Sequence, residues 1–153
     1  MFNLVCWNVR GLVCPVKRDN VKCRLREWSA DAACLQEVHS TPDNSLTLHK
    51  HLGYSLATYD HFSALARGTA VFSNGPPLDD DQIFTFGSGR IATQVISAVG
   101  VKLAVISVYA PNLSAAHDTR AAYNDFIEHL SVTLHWAQVV DGIDGVILAG
   151  DFN

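Results

Sequence analysis

The fold is decided by the segment Val146-Ile147-Leu148-Ala149-Gly150-Asp151-Phe152-Asn153. Its first four residues form a short apolar run, which predicts a buried strand, and this run leads directly to a carboxylate and an amide. Open α/β proteins bind ligands at the edge of a sheet where such strands end. The segment therefore predicts a strand that carries Asp151 and Asn153 into a functional site.

The same arrangement of an apolar run followed by a polar side chain occurs three times earlier in the chain. The runs are Leu4-Val5-Cys6-Trp7 before Asn8, Ala32-Ala33-Cys34-Leu35 before Gln36-Glu37, and Ala104-Val105-Ile106-Ser107-Val108 before Tyr109-Ala110-Pro111-Asn112. Four strands that end in this way are expected to gather their polar groups at one edge of a sheet.

The rest of the chain alternates between strand and helix patterns without a change in composition, which predicts one domain over residues 1–153. Helices are predicted at 17–29, at 49–52 and at 118–139, with Asp118 as the cap of the last. Further strands are predicted at 54–59, 69–73, 89–99 and 101–109, the last two forming a hairpin around Gly100. Val21, Leu25 and Trp28 have the helical spacing of a face directed toward a core.

Composition indicates a globular protein, with 48% hydrophobic and 17% charged residues and a net charge of -4. Six of the eleven Lys and Arg residues nevertheless lie in the first 26 positions: Arg10, Lys17, Arg18, Lys22, Arg24 and Arg26. A solvated helix face is the favoured interpretation of the last three, and a patch that contacts phosphate is the alternative.

The four cysteines form no C-x-x-C pair, and Cys6 and Cys34 are predicted to lie in buried strands. The sequence contains neither a signal-peptide pattern nor an apolar stretch of membrane-spanning length. These features lead us to expect a soluble intracellular protein that does not interact with a membrane.

The candidate functional residues form a set of acids, amides and one phenol: Asn8, Glu37, Tyr109, Asn112, Asp151 and Asn153. Carboxylate oxygens suit Mg²⁺, which also contacts substrate phosphates and polarises phosphoryl oxygens. A second carboxylate can orient or deprotonate water, and amides or a phenol can donate to phosphate oxygens. The sequence lacks a G-x-S-x-G elbow and a Walker loop, so hydrolysis of a phosphodiester is the chemistry that these residues favour.

Four ordered motifs resemble those of the endonuclease/exonuclease/phosphatase superfamily. They are Trp7-Asn8-Val9-Arg10-Gly11, Leu35-Gln36-Glu37, Val108-Tyr109-Ala110-Pro111-Asn112 and Gly150-Asp151-Phe152-Asn153. The resemblance implies an α/β fold, the four-layer α/β sandwich of this family, with the first sheet nearly complete and the second only begun. It also implies that 67–72 and Gly89-Arg90-Ile91 belong to strands of the first sheet.

The resemblance also implies roles for single residues. Glu37 is expected to bind the metal with Asn8 beside it, and Asp151 to position or activate water with the support of Asn153. Tyr109 and Asn112 are expected to contact phosphate, whereas Arg90 is either a phosphate contact or a surface charge. Cys14 and His39 are expected to have no role. The implied cofactor is Mg²⁺, with Mn²⁺ as the alternative ion, and no small-molecule cofactor is implied. DNA is the implied substrate, and the oligomeric state stays open.

Within the superfamily, the segment Trp7-Asn8-Val9-Arg10-Gly11-Leu12 is most similar to endonucleases of non-LTR (LINE-type) retrotransposons, which accompany a reverse transcriptase. AP endonucleases of the repair type have an acidic residue in place of Arg10 and a lysine near Val38-His39. Family members continue beyond the GDFN motif to a Ser-Asp-His region, so we expect a C-terminally truncated domain with little activity by itself. The alternatives are a phosphatase or small-molecule phosphodiesterase of the same superfamily, and an inactive retroelement remnant.

Overall fold

The computed structural model describes residues 1–76, 78–79, 82–114 and 118–153. Its strands are β1 (Leu4–Asn8), β2 (Ala32–Gln36), β3 (Leu56–Asp60), β4 (Thr69–Ser73), β5 (Ile83–Thr85), β6 (Ile91–Ala98), β7 (Val101–Tyr109) and β8 (Gly145–Asp151). Its helices are α1 (Pro15–Glu27), α2 (Pro42–Ser45), α3 (Leu48–Leu52) and α4 (Arg120–Val139).

The strands form two four-stranded sheets, with the orders β1-β2-β4-β3 and β5-β6-β7-β8. Each sheet has one parallel pair at an edge, β1 with β2 and β7 with β8, and its other pairs are antiparallel. The last register positions of the parallel pairs are Asn8 with Gln36 and Tyr109 with Asp151. Both parallel pairs therefore end at polar side chains.

The two sheets pack face to face, and helices cover their outer faces. The core between the sheets is formed by Ala32, Cys34, Val71, Ala92, Ile96 and Val105. Val21 and Leu25 of α1 pack in the core of the first sheet, and Phe126 and Ala137 of α4 pack in the core of the second. The structure thus confirms a mixed α/β fold with two sheets between layers of helices.

The distribution of strands between the sheets differs from the expectation. The second sheet has four strands instead of being only begun, and the segment Gly89-Arg90-Ile91 leads into β6 of that sheet rather than the first. The β6–β7 hairpin turns at Val99 and Gly100, which have φ of 51° and 82°. The edge of β6 that does not face β7 pairs with β5. Consequently, the expectation that all four motif strands share one sheet edge is wrong, because two of them lie in each sheet.

Several local expectations also changed. Helix α4 is capped by Thr119, whose hydroxyl accepts from Ala122 N at 3.1 Å, and not by Asp118. Trp28 lies beyond the end of α1 and is 47% exposed, with its ring against the edge of the Trp7 ring instead of in the core. Cys6 is exposed, because β1 is the edge strand of its sheet. None of the helices described here is long and apolar enough to cross a membrane.

Candidate active site

The two sheets bring three of the predicted residues into direct contact. Asn8 Nδ2 donates to Glu37 Oε1 at 2.9 Å and to Asp151 Oδ2 at 2.8 Å. Asn8 ends β1 and Glu37 follows β2, whereas Asp151 ends β8 of the other sheet. The Glu37 and Asp151 carboxylates therefore both contact Asn8, and we call this cluster of three residues the carboxylate centre.

Backbone pairing between the loops that follow β1 and β2 fixes the first side of the carboxylate centre. Gly11 N donates to Glu37 O at 2.6 Å, and Leu12 N donates to Val38 O at 3.1 Å. Gly11 has a φ of +92°, and a Cβ at this position would lie 2.8 Å from His39 Nδ1. Glycine is therefore required at position 11, both by the backbone conformation and by the close approach of the His39 ring.

The loop at the end of β8 fixes the second side. Ala110 N donates to Asp151 O at 2.8 Å, and Asn153 Nδ2 donates back to Ala110 O at 2.6 Å. The backbone N–H of Asn153 also donates to Asp151 Oδ1 at 3.1 Å. Asn153 therefore holds the Asp151 carboxylate in place, and the other oxygen of that carboxylate remains directed at Asn8.

Tyr109 is the register partner of Asp151 and lies on the same side of the site. Burial, together with the neighbouring Glu37 and Asp151 carboxylates, raises the pKa of Tyr109 to about 12, because a phenolate would be poorly solvated and repelled there. A tyrosine phenol with an ordinary pKa of about 10 is already protonated at neutral pH, and the raised pKa keeps Tyr109 a hydrogen-bond donor at alkaline pH as well.

The donor set fits a hard cation in part. Glu37 and Asp151 supply carboxylate oxygens, and Mg²⁺ is commonly held by one or two carboxylates together with waters and substrate phosphate. Among the described residues there is no group of three His, Cys, Asp or Glu side chains that could hold a metal. The Asn8 Oδ1 oxygen accepts from Arg10 N at 3.1 Å, so the amide directs its N–H groups toward the carboxylates. To ligate a cation between them, Asn8 would have to rotate its amide.

Arg90 and Asn112 belong to a separate cluster. Arg90 Nη2 donates to Asp118 Oδ1, Arg90 Nη1 donates to Tyr109 O at 3.2 Å, and the residue is only 4% exposed. Asn112 N donates to Asp118 Oδ2 at 2.8 Å, and Asn112 Oδ1 accepts from Ser114 N at 2.9 Å. The surface-charge interpretation of Arg90 is therefore wrong, and neither residue is hydrogen-bonded to the carboxylate centre; phosphate contact by either stays a prediction.

A buried polar layer lies directly behind the carboxylate centre and joins the sheets. Gln36 Nε2 donates to Ser107 Oγ at 3.0 Å, and the hydroxyls of Ser107 and Thr69 lie 2.7 Å apart. Thr69 Oγ1 also donates to Leu35 O at 3.2 Å. Because these groups are buried and satisfied, they fix how the first sheet lies on the second.

Sequence reasoning missed three residues around the site. Asp118 binds Arg90, Arg67 and the backbone of Asn112, although the sequence suggested only a helix cap. Asp60, which is fully buried, accepts through Oδ2 from the backbone N–H groups of Arg90 and Ile91. His39 was given no role, yet its Nε2 lies 3.8 Å from Glu37 Oε2. The only local sequence signal for a role of Asp60 is its position, since it is an acidic residue at the end of a strand and directly before a turn.

Comparison with known proteins agrees with this fold and arrangement. Residues 5–153 match the Endonuclease/Exonuclease/phosphatase family, and the chain belongs to that family. An exodeoxyribonuclease from Bacillus subtilis (strain 168) is 28% identical over 98% of this chain and 58% of its own length. The chain therefore spans less than two thirds of this curated relative.

Solved structures show the same fold. The 3'-5' exonuclease from Neisseria meningitidis superposes with a TM-score of 0.71 at 20% identity, over 97% of this chain and 57% of that one. An AP endonuclease from Archaeoglobus fulgidus superposes with a TM-score of 0.65 at 19% identity, over 99% of this chain and 57% of that one. A Neisseria 3' phosphatase bound to a product DNA hairpin superposes with a TM-score of 0.72 at 19% identity, over 100% of this chain and 58% of that one.

Proposed function

We propose that this chain carries the reactive carboxylates of a Mg²⁺-dependent DNA endonuclease that nicks one strand by phosphodiester hydrolysis. The observation that carries the proposal is the pair of hydrogen bonds from Asn8 Nδ2 to Glu37 Oε1 and to Asp151 Oδ2, at 2.9 Å and 2.8 Å. One N–H-bearing nitrogen between two carboxylates occupies the position at which a cation would relieve their repulsion.

In this proposal each carboxylate has one task. Glu37 would hold Mg²⁺, or Mn²⁺ in its place, and Asn8 would contribute its amide oxygen beside it. When bound, the ion would supply polarisation of a phosphoryl oxygen and would offset the charge on the leaving group. Asp151 Oδ2 orients the attacking water and accepts its proton, while Asn153 keeps the other oxygen of Asp151 engaged.

The remaining residues act on the phosphate. The protonated Tyr109 phenol, whose pKa is raised to about 12 by burial and the nearby carboxylates, donates to a phosphate oxygen. Asn112 contacts the same group from the loop after β7. Arg90 holds this loop in place by its hydrogen bonds to Tyr109 O and to Asp118. To contact phosphate itself, the Arg90 guanidinium would have to give up one of these two hydrogen bonds.

DNA is the proposed substrate because the named relatives are an exodeoxyribonuclease, an AP endonuclease and a 3'-5' exonuclease. The retrotransposon type is proposed from the Trp7-Asn8-Val9-Arg10-Gly11-Leu12 segment, in which Arg10 replaces the acid of repair enzymes. The Neisseria 3' phosphatase favours a second candidate function, removal of a terminal phosphate from DNA, which the same carboxylates would support.

The test measures cation binding and strand cleavage separately. Isothermal titration with Mg²⁺ and Mn²⁺ is performed on this chain, on Glu37→Gln, on Asp151→Asn and on the control Asp19→Asn, whose carboxylate is exposed. Supercoiled plasmid is then incubated with each protein, and also with the longest product of the same reading frame, because the relatives are longer.

The endonuclease would be supported if the parent protein and Asp19→Asn bind the cation and nick plasmid, and if Glu37→Gln and Asp151→Asn lose both properties. Release of inorganic phosphate from a 3'-phosphorylated oligonucleotide without nicking would support the phosphatase instead. Absence of cation binding in the parent protein would contradict both activities and favour the inactive remnant.

A further inference from the structure

A cleft of about 530 Å³ opens beside the carboxylate centre. Glu37 and Tyr109 line one part of it, and Phe62, Leu65 and Arg67 line another. Its volume is within the range of small-molecule sites, roughly 300–1,000 Å³. The cleft thus joins a carboxylate wall to an apolar wall, and the apolar wall comes from residues 61–68, which we call the β3–β4 loop.

The β3–β4 loop presents apolar side chains to solvent on the wall of this cleft. Phe62 is 50% exposed and Leu65 is 89% exposed. The guanidinium carbon of Arg67 lies 4.4 Å from the centroid of the Phe62 ring, and Arg67 Nη2 lies 3.4 Å from Asp118 Oδ1. A planar cation anchored by a carboxylate therefore stacks on an aromatic ring that remains half accessible.

The exposure of these side chains does not result from an unsupported loop. Ser63 Oγ accepts from Leu65 N at 3.3 Å and from Ala66 N at 3.0 Å. Arg67 O accepts from His39 N at 3.0 Å, which ties the loop to the segment after Glu37. Each end of the apolar wall is thus hydrogen-bonded, and Phe62 and Leu65 are directed outward by a defined backbone.

The loop also packs closely on the segment before β6. Gly68 N donates to Gly89 O at 3.1 Å. A Cβ at Gly89 would lie 2.6 Å from Phe62 Cβ, so the base of the Phe62 side chain touches the backbone of position 89. This contact fixes where the Phe62 ring stands relative to the cleft.

We propose that the β3–β4 loop binds one unpaired nucleobase of the DNA, next to the phosphate that lies at the carboxylate centre. The proposal rests on the proposed DNA substrate and specifies which part of it the cleft recognises. An aromatic ring and a guanidinium plane both stack on bases irrespective of sequence. Both faces of a base inside a duplex are covered by its neighbours, so Phe62 can stack only on a base that has left the helix.

The opposite wall explains why a base, and not a second phosphate, occupies the apolar part of the cleft. Glu37 contributes a carboxylate there that repels phosphate in the absence of a cation, whereas the Asp118 carboxylate is paired with Arg67 and Arg90. The apolar surface of Phe62 and Leu65 offers no charge to a phosphate but gains from covering a base. The apolar wall therefore favours the nucleobase, and the phosphate lies at the carboxylate centre with its cation.

The experiment uses two fluorescently labelled duplexes, one fully paired and one with a single unpaired 2-aminopurine. Binding is measured by anisotropy in Ca²⁺, a hard cation with oxygen ligands, and base stacking by 2-aminopurine emission. The variants are Phe62→Ala and Leu65→Ala, with Phe62→Tyr as the conservative replacement. Leu46→Ala is the matched control, because Leu46 is 73% exposed but does not line the cleft.

We expect Phe62→Ala to weaken binding of the duplex with the unpaired base by roughly 5- to 100-fold, the range of one base–aromatic stack. Phe62→Tyr and Leu46→Ala should keep the parent affinity, and the fully paired duplex should bind all proteins equally. Quenching of 2-aminopurine emission by the parent protein should disappear in Phe62→Ala.

Equal affinities of parent and Phe62→Ala for both duplexes would overturn the nucleobase site while leaving DNA as the substrate. Failure of the parent protein to bind either duplex would overturn the proposed DNA substrate, and the nucleobase site with it.

Discussion

Gln36 and Ser107 join the two sheets by a side-chain hydrogen bond of 3.0 Å from Gln36 Nε2 to Ser107 Oγ. Gln36 precedes Glu37 in the chain and is 1% exposed, and Ser107 is fully buried two positions before Tyr109. The contact that aligns the sheets is therefore adjacent to the residues that the sheets present, and the geometry of the carboxylate centre depends on it.

Replacement of Gln36 by Leu should destabilise the protein. Ser107 Oγ would keep the Thr69 hydroxyl as a partner but lose its bond from Gln36, and loss of one such hydrogen bond lowers the free energy of unfolding by about 0.5–1.5 kcal/mol. Urea denaturation measures the change. Gln138→Leu, on the exposed side of α4, is the control and should stay within about 0.5 kcal/mol of the parent. Equal effects of the two substitutions would contradict a role for Gln36 in aligning the sheets.

Removal of the Asp118 carboxylate should have a larger effect. Asp118→Ala leaves the Arg90 guanidinium, whose side chain is 5% exposed, without its carboxylate partner. Loss of one member of a buried ion pair lowers stability by about 3–5 kcal/mol. Arg24→Ala breaks the Arg24–Glu27 pair, whose side chains are 60% and 59% exposed, and should change stability by less than about 1 kcal/mol. Thermal or urea unfolding of both variants measures the difference. A loss in Asp118→Ala no larger than that in Arg24→Ala would contradict a stabilising ion pair between Asp118 and Arg90.

Two glycines of one turn offer a test of the contact beneath Phe62. Gly87 and Gly89 have φ of +70° and +73°, but a Cβ would meet nothing within 4 Å at Gly87 and would lie 2.6 Å from Phe62 Cβ at Gly89. Both alanine variants should lose about 1 kcal/mol to the left-handed backbone, and only Gly89→Ala should lose more. Urea midpoints measure the difference. A Gly89→Ala protein as stable as Gly87→Ala would show that the loop can move away from position 89.

Stability should decrease as the solution becomes acidic. Burial lowers the pKa of His61 despite the nearby Asp60, and its Nδ1 lies 3.0 Å from Ser40 Oγ. The unfolded chain therefore takes up a proton below about pH 6.5 that the folded protein resists, so stability present above this pH is lost as the pH falls. His61→Phe keeps the stacking on Tyr59 and removes the titrating group.

Urea unfolding between about pH 7.5 and about pH 5 measures this dependence, a window that brackets the ordinary histidine pKa. The parent protein should lose more stability across the window than His61→Phe. A steeper loss in the variant would mean that His61 gains, and does not resist, a proton in the folded protein.

Much of the fold could be predicted from the sequence, because β2, β4 and β7 are apolar runs with sharp polar boundaries. Their predicted bounds agree with the structure. The sheet to which a strand belongs could not be predicted in the same way. β6 has the same local pattern whether its free side pairs with β4 or with β5, and only the packing of distant residues decides between them.

The candidate site shows the same division. Asn8, Glu37 and Asp151 lie at or just after the ends of apolar strands, and that placement was predictable; their contact across two sheets was not, because the strands were expected to share one sheet edge. The environment of Arg90 was not predictable either, because its partner Asp118 lies 28 positions away and no local spacing connects the two. Trp28 has the spacing of the buried helix face, but α1 ends at Glu27 and the chain changes direction there.

The two sheets consist of consecutive halves of the chain, with β1 to β4 ending at Ser73 and β5 to β8 beginning at Ile83. Glu37 belongs to the first half and Asp151 to the second. Two separate polypeptides divided between β4 and β5 would each contain one carboxylate, and the proposed cation site would form only on their association. Mixing the two fragments should restore Mn²⁺ binding if they associate. The carboxylate centre would then report how tightly the two halves of the fold bind each other.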